Sequence, residues 1–533
     1  QYDSTKGVGD FSSSVSTPSR ILSFFGRLNY NLMERYLLTV TFRADGSSKF
    51  APSNRWGYFP AAALGWRMSE EAFLNDVDWL DNLKLRVSYG EVGNDGINSS
   101  LWSQNWEATS DKRYQGAVNG AFLPSYSLGA DMANKDLKWE TTITRNIGVD
   151  FGFFNSRLTG TIDAYWNTTK DLLMKTAIPG ITGFTSTYAN VGQTSNKGIE
   201  IALQGVLVKT RDWNVTAGFN INFNRGKVDK LADNVTGLYG TEWATSSTFP
   251  KSDYVLKEGR PVGLVRGLTA DGFYTTDDFT YENGVYTLKE GVADVSSAVF
   301  PNYHLHNGMN ERPAGQLAYP GMAKFKDLND DGIINDDDVD VIGDMTPVHT
   351  GGFNINATYK NFDLGLYFNW SYGNEIYNVN KLAALYGYKE GAVYENKLSI
   401  VKDCYKIYDV VNGELVALTT PEQLNAANAN AKLPLAYSEN GYVSTLGIED
   451  GSYLRLNTLT LGYTLPKSML QKAGISNLRV YGSIYNVFTI TGYSGIDAEV
   501  STSTSTKTYP QLGMDWGTYP RARSFVLGVN LSF

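Results

Sequence analysis

Strict two-residue alternation is the sequence feature that most constrains the fold of this chain. In residues 213–223, every second position holds Trp, Val, Ala, Phe, Ile and Phe in turn. The positions between them hold only Asn, Thr and Gly. Because successive side chains of a β-strand point to opposite faces, this segment predicts a strand with one apolar and one polar face.

The same alternation recurs along the chain and predicts about thirteen strands. We expect them at residues 21–30, 36–43, 58–66, 83–89, 143–153, 157–166, 198–208, 213–223, 352–360, 362–371, 453–464, 478–488 and 523–533. The connections between them alternate between short turns and long loops. Two of the links on the short side, 67–82 and 465–477, are longer and predict small helical or coil insertions.

Segments of about ten alternating residues, joined by short turns at one end and long loops at the other, are typical of a bacterial outer-membrane barrel. The apolar face would contact lipid and the polar face would line a lumen. Closure of the barrel pairs every backbone group, which an open sheet in lipid cannot do. We therefore predict an all-β fold, a transmembrane antiparallel β-barrel with long extracellular loops. The alternative is a soluble β-protein whose apolar face packs on a core.

Composition excludes several other classes. The net charge of −9 and the 3 His argue against a nucleic-acid-binding protein, which would carry a basic patch. No run of 18 apolar residues is present, so no transmembrane helix is predicted. The single cysteine, Cys404, excludes an intrachain disulfide framework and a cysteine-rich metal site.

The strand pattern also divides the chain. We expect a remnant of an extracellular loop at 1–20, barrel strands at 21–223, and a long extracellular loop at 224–351. The final barrel strands, ending in an aromatic C-terminal signal strand, occupy 352–533. Bacterial barrels have an even number of strands, whereas the count here is odd. We therefore expect this chain to be the C-terminal piece of a larger barrel, divided in an extracellular loop.

Several stretches, in order, carry a resemblance to a known family. They are Tyr36 to Phe50 (YLLTVTFRADGSSKF), Arg55 to Pro60 (RWGYFP), Leu83 to Asn94 (LKLRVSYGEVGN), Asn196 to Glu200 (NKGIE), Tyr453 to Tyr463 (YLRLNTLTLGY) and Tyr519 to Ser524 (YPRARS). In these segments the chain resembles the SusC-like (SusC/RagA) group of TonB-dependent outer-membrane transporters of the Bacteroidota.

The resemblance implies a barrel of 22 strands in the bacterial outer membrane, an N-terminal plug, and a SusD-like surface lipoprotein that caps the extracellular mouth. It also implies that the plug, the remaining strands and the segment that contacts TonB are on a separate fragment. Outer-membrane lipid is a further expected partner, and nucleic acid is not.

One motif in the longest loop predicts a metal site. Residues 327–338 fit a twelve-residue calcium loop, with a glycine at its sixth position for the sharp turn. The predicted ligands are the side chains of Asp327, Asn329, Asp331, Asn335 and Asp338 and the backbone carbonyl of Ile333. We expect a structural Ca²⁺, with Mg²⁺ as the alternative ion. The simpler interpretation of the same residues is an acidic surface turn.

No sequence motif of a hydrolase, a nucleotide-binding loop or a metalloprotease is present, so no catalytic residues and no enzymatic activity are predicted. The substrate-binding residues cannot be assigned from the sequence. Loop tyrosines are candidates to stack on sugars, to line a peptide groove, to bind a lid protein, or simply to pack the loops. They are Tyr274, Tyr281, Tyr286, Tyr303, Tyr319, Tyr386, Tyr388 and Tyr394.

The sequence therefore predicts TonB-dependent active import of oligomeric nutrients, either glycans or oligopeptides, together with a SusD-like lipoprotein lid. Two alternatives remain open. A passive, porin-like channel would have no plug and would conduct ions steadily. A calcium-dependent surface carbohydrate-binding β-protein would be soluble without detergent.

Overall fold

The computed structural model describes residues 19–104, 106–109, 117–118, 121–122, 125–129, 131–232, 235–246, 248–300, 312–385, 398–436, 441–471, 474–502 and 511–533. Most of the expected loop remnant at 1–20 lies outside these ranges. Within them, no helix is both long enough and apolar enough to cross a membrane.

Thirteen long strands form one sheet in which strands that are consecutive along the chain are neighbours. All of the predicted strands are present. They are β1 (Ile21–Leu32), β2 (Tyr36–Ser47), β3 (Trp56–Arg67), β4 (Leu80–Asn94), β5 (Glu140–Phe153), β6 (Leu158–Lys170), β7 (Gln193–Lys209), β8 (Trp213–Lys230), β9 (His349–Tyr359), β10 (Phe362–Tyr372), β11 (Tyr453–Thr464), β12 (Asn477–Thr491) and β13 (Ser524–Ser532). Pairing is antiparallel from β1 to β5 and from β8 to β13.

Several strands extend beyond the apolar alternation that predicted them. β8 continues to Lys230 rather than ending at residue 223, and β9 begins at His349. The long loop therefore spans 231–348 instead of 224–351. Backbone pairing does not require apolar side chains, so a ladder can continue into water after the lipid-facing pattern has ended.

From β4 onward the connections alternate in length as predicted, whereas the link 48–55 between β2 and β3 is shorter than the link 68–79 between β3 and β4. Residues 33–35 join β1 to β2 and residues 360–361 join β9 to β10, whereas residues 373–452 separate β10 from β11. The two longer links on the short side contain a 3₁₀-helix (Met68–Glu70) and an α-helix (Lys467–Leu470). This confirms the predicted insertions.

Short elements fill the long connections. The helices there are Val379–Leu385 and Pro421–Asn428, with 3₁₀-turns at Gly180–Thr182, Thr276–Asp278, Asp336–Asp338, Ser399–Asp403 and Thr445–Gly447. The short strands are Trp106–Thr109, Ala117–Val118, Ala121–Phe122, Ser125–Leu128, Asp131–Met132, Leu173–Ala177, Ser186–Asn190, Leu238–Gly240, Thr248–Phe249, Tyr254–Leu256, Leu264–Gly267, Ala270–Phe273, Phe279–Glu282, Val285–Leu288, Asp294–Val295, Ala323–Phe325, Ile333–Ile334, Asp340–Asp344, Glu375–Asn378, Tyr408–Val411, Glu414–Ala417, Gly441–Tyr442, Ile448–Asp450 and Met514–Asp515.

By its internal contacts the chain divides into two compact units. The first contains β1 to β5 and most of β6, and the second contains most of β7 and β8 together with β9 to β13 and the loops between them. In the first unit, the polar face of the sheet carries an ion-pair network. Arg86 on β4 donates from Nε to Asp150 Oδ1 at 2.9 Å and from Nη2 to Asp163 Oδ2 at 2.9 Å. One guanidinium thus bridges two neighbouring strands.

In the second unit, the apolar face of the sheet is exposed. Phe219 on β8 is 39% exposed, Leu461 on β11 is 53% exposed and Val529 on β13 is 61% exposed. A soluble sandwich would bury these side chains against a second sheet. Their exposure fits a face that contacts lipid, so the soluble alternative is wrong for these strands.

The long loops of the second unit pack around a hydrophobic core of their own. Tyr274, Tyr286, Tyr319 and Leu382 are fully buried in it. Cys404 also belongs to this core, where burial raises the pKa of its thiol to about 11. The loops are therefore a packed layer.

Arginine substitutions at two neighbouring positions of β8 test which face meets lipid. Ala217 lies on the apolar face and Thr216 on the polar face, near the middle of the alternating segment. We expect Ala217→Arg to reduce the free energy of unfolding by about 2–4 kcal/mol, because it places a cation near the bilayer midplane. Thr216→Arg should cost much less. Denaturant unfolding in lipid vesicles measures both, and equal losses would contradict the assignment of faces.

Removal of the bridging guanidinium tests the network on the polar face. We expect Arg86→Met to reduce the free energy of unfolding by about 2 kcal/mol, because it leaves the carboxylates of Asp150 and Asp163 without their shared donor. The double variant Arg86→Met/Asp163→Asn should recover part of this loss in the same unfolding assay. No recovery would mean that the carboxylates are compensated by other groups.

Candidate functional site

The predicted calcium loop forms a compact turn whose polar atoms are organised by backbone donors. The N–H of Gly332 donates to Asp327 Oδ2 at 2.7 Å. The N–H of Ile333 donates to Asp331 Oδ1 at 2.9 Å, and the N–H of Asp331 donates to Asn329 Oδ1 at 3.1 Å. Gly332 has a φ of +85°, a conformation that disfavours any side chain. The structure therefore brings Asp327, Asn329 and Asp331 together around one turn.

The remaining predicted ligands are arranged differently. Asn335 donates from Nδ2 to the carbonyl of Ile333 at 3.1 Å, so these two lie side by side. The carboxylate of Asp338 is fully buried and accepts the N–H groups of Leu328 and Asn335 at 2.7 and 2.8 Å. Asp338 thus ties the two ends of the loop together.

The hydrogen bonds within this turn do not use every carboxylate oxygen. Among the described residues, Asp327 Oδ1 is buried and has no hydrogen-bond partner. In the same part of the chain, no three His, Cys, Asp or Glu side chains lie close enough to one another to hold a metal ion. A site here would therefore depend on amide and backbone oxygens as well as on carboxylates, and Ca²⁺ accepts such ligands.

The loop is anchored in the hydrophobic core of the second unit. Residues Ile333–Ile334 pair in parallel with Asp294–Val295, and Ile334 is fully buried in that core. Asp294 in turn accepts backbone N–H groups from Leu317 and Ala318. Any group that orders the turn at 327–338 would therefore also fix this junction of the loops.

The loop tyrosines that the structure describes mostly pack the loops. Tyr274 donates its hydroxyl to the carbonyl of Ala293 at 2.6 Å, and Tyr286 donates to the carbonyl of Thr419 at 3.0 Å. Burial raises the pKa of both phenols, so they remain hydrogen-bond donors. Of the open alternatives, packing fits the buried members. The predicted candidates Tyr303, Tyr386, Tyr388 and Tyr394 lie outside the described residues.

The polar face of the second unit carries paired charges that sequence reasoning missed. Arg479 on β12 donates from Nε to Asp363 Oδ1 on β10 at 2.8 Å. Arg455 on β11 is 3% exposed and binds the carboxylates of Asp497 and Glu499. The available signal was the presence of charged residues at the polar positions of alternating strands. Asp363 lies on a distant strand, and Asp497 and Glu499 lie in the loop after β12, so only the strand register and the loop packing identify the pairs.

These features match a known family. Residues 1–487 match the family described as "TonB dependent receptor-like, beta-barrel". The chain is 31% identical over 98% of its length to the TonB-dependent receptor P3 of Formosa agariphila, covering 46% of that protein. It is 32% identical over 97% of its length to the TonB-dependent receptor SusC of Bacteroides thetaiotaomicron, covering 44% of that protein. The chain thus spans about half the length of these relatives.

A solved structure agrees with the fold. A chain of the RagAB peptide importer in its closed-closed state superposes with a TM-score of 0.71 at 25% identity, covering 96% of this chain and 48% of that one. The sheet of thirteen strands with an exposed apolar face, the charge-paired polar face and these matches lead to one conclusion. The chain belongs to the TonB-dependent receptor β-barrel family, in its SusC-like group, and is an outer-membrane protein.

Proposed function

We propose that this chain is the C-terminal barrel portion of an active importer that carries oligomeric nutrients, glycans or oligopeptides, across the outer membrane. The observation that carries the proposal is the match over 97% of the chain to the receptor SusC. The similarity to the structure of the RagAB peptide importer supports the same activity. The role is transport, and we propose no enzymatic step.

In this proposal the polar face provides a wetted wall along which the substrate passes. Arginine–carboxylate pairs such as Arg479–Asp363 hold their charges in fixed positions and so present a nearly neutral surface to the cargo. The packed loops provide a firm docking platform for a SusD-like lipoprotein lid. The plug, the remaining strands and the segment that contacts TonB belong to the part of the receptor that this chain does not include. TonB then supplies the force that displaces the plug.

Uptake measurements separate active import from a passive channel. Cells that contain the complete receptor are supplied with fluorescently labelled oligosaccharides or oligopeptides. We expect uptake of one class to stop when the proton gradient is collapsed by a protonophore or when TonB is deleted. Uptake that continues under both conditions would support the porin-like alternative and contradict the proposal.

Denaturing mass spectrometry of the detergent-purified assembly tests the partners. We expect two further components besides this chain. One is a lipoprotein, and the other is a second polypeptide that contains the remaining strands and the plug. An assembly without a lipoprotein would contradict the proposed lid.

We also propose that a Ca²⁺ ion stabilises the turn at 327–338 and thereby the junction of the extracellular loops. The buried Oδ1 of Asp327 supports this, since a bound cation would satisfy it. Ca²⁺ accepts six to eight oxygen ligands of mixed type, whereas Mg²⁺ demands near-ideal octahedral geometry. The predicted ligands combine carboxylate, amide and backbone carbonyl oxygens, and this mixed set favours Ca²⁺.

Metal analysis and limited proteolysis test the calcium proposal. We expect about one Ca²⁺ per complete receptor, and chelation should accelerate cleavage within the loop about tenfold because the turn opens. Asp327→Ala should abolish the bound ion. Asp337→Asn is the matched control, because its side chain is not among the predicted ligands. Unchanged ion content in Asp327→Ala, or bound Mg²⁺ instead, would contradict the proposal.

A further inference from the structure

A groove of about 420 Å³ indents the apolar face of the first unit. Its walls include Leu38, Leu64 and Val87, and Gly65 contributes only backbone. None of the side chains that line it is charged. Leu64 is 59% exposed and Val87 is 42% exposed, so the groove opens outward on the face that contacts lipid.

The groove lies where β1 ends and β2 begins. Tyr30 and Leu32 line it from the end of β1, and Tyr36 lines it from the start of β2. This is the end of the strands that carries the short turns. In outer-membrane barrels the short turns face the periplasm, so the groove opens into the inner leaflet of the membrane.

A pair of opposite charges stands at one end of the groove. Glu71 Oε1 accepts the hydroxyl of Tyr36 at 2.6 Å and the indole N–H of Trp66 at 3.0 Å, and both of these side chains line the groove. Glu71 Oε2 faces Arg35 Nη1 at 3.4 Å. The Arg35 side chain is 38% exposed and its contact with Glu71 is long, so its guanidinium retains donors for another partner.

These charges select among lipid headgroups. A phosphate diester accepts hydrogen bonds from the Arg35 guanidinium, as phosphates do from arginine generally. A primary ammonium on the same headgroup donates to the Glu71 carboxylate. A headgroup with negative charge alone would place that charge beside Glu71 without compensation. The arrangement therefore complements a zwitterionic headgroup.

We propose that this groove is a binding site for one phospholipid of the phosphatidylethanolamine type, with an acyl chain in the groove and the headgroup on Arg35 and Glu71. The apolar walls bury the chain by the hydrophobic effect, and the charge pair fixes the headgroup at the interface. The site is independent of the cargo and of the lid. It anchors the periplasmic end of β1 to β4 in the membrane.

Native mass spectrometry of the complete receptor tests the site. The protein is delipidated in detergent and reconstituted into nanodiscs that contain equal amounts of phosphatidylethanolamine and phosphatidylglycerol. After release into the gas phase we expect the wild type to retain one phosphatidylethanolamine in at least about tenfold excess over phosphatidylglycerol. Glu71→Gln should reduce this preference about tenfold, because the ammonium loses its partner.

Filling the groove provides a second, independent variant. Leu64→Trp occupies the space of the acyl chain, so neither lipid should be retained. Leu461→Trp is the matched control, because Leu461 is exposed to a similar degree on the apolar face of the second unit. Heat-dependent mobility in gel electrophoresis confirms that each variant is folded. Equal retention of both lipids by the wild type, or unchanged retention in Leu64→Trp, would overturn the proposal.

Discussion

The need to pair backbone polar groups inside an apolar surrounding governs this structure. An unpaired N–H or C=O in hydrocarbon costs several kcal/mol, so a chain that crosses lipid as strands must pair each strand with its neighbours. Here consecutive strands pair along the sheet, with short turns such as that at residues 33–35 keeping the partners adjacent. The side chains are then free to differ between the two faces. The apolar face, the polar face and the loops are each stabilised by different interactions on the same paired sheet.

The polar face of the sheet holds its charged side chains in ion pairs. Arg86 bridges two carboxylates on neighbouring strands, and Arg479 pairs with Asp363 across the intervening strand β11. Arginine suits this role because its planar donors serve more than one acceptor at once. In these clusters the guanidinium charges are compensated by carboxylates on other strands.

The long loops are ordered by their own packing. Their described residues form only short strands, and they are held by a core of buried aromatic side chains whose hydroxyls donate to carbonyls of distant segments. The turn at 327–338 is joined to this core through Ile334. Loops that are packed in this way can present a surface of defined shape to a partner. A calcium ion that orders this turn would therefore also stabilise the surface on which the proposed lid docks.

The sequence by itself determined the thirteen strands, their faces and the alternation of short and long connections, because period-two alternation and turn residues are local properties. It also located the acidic turn at 327–338, whose spacing is local as well. Only the tertiary structure decided that Tyr274 and Tyr286 pack the loops, that Arg86 meets Asp150 and Asp163, and that Glu71 stands beside an apolar groove. Each of these depends on strand register and loop packing, which bring together residues that are distant in sequence and carry no spacing signal of their own.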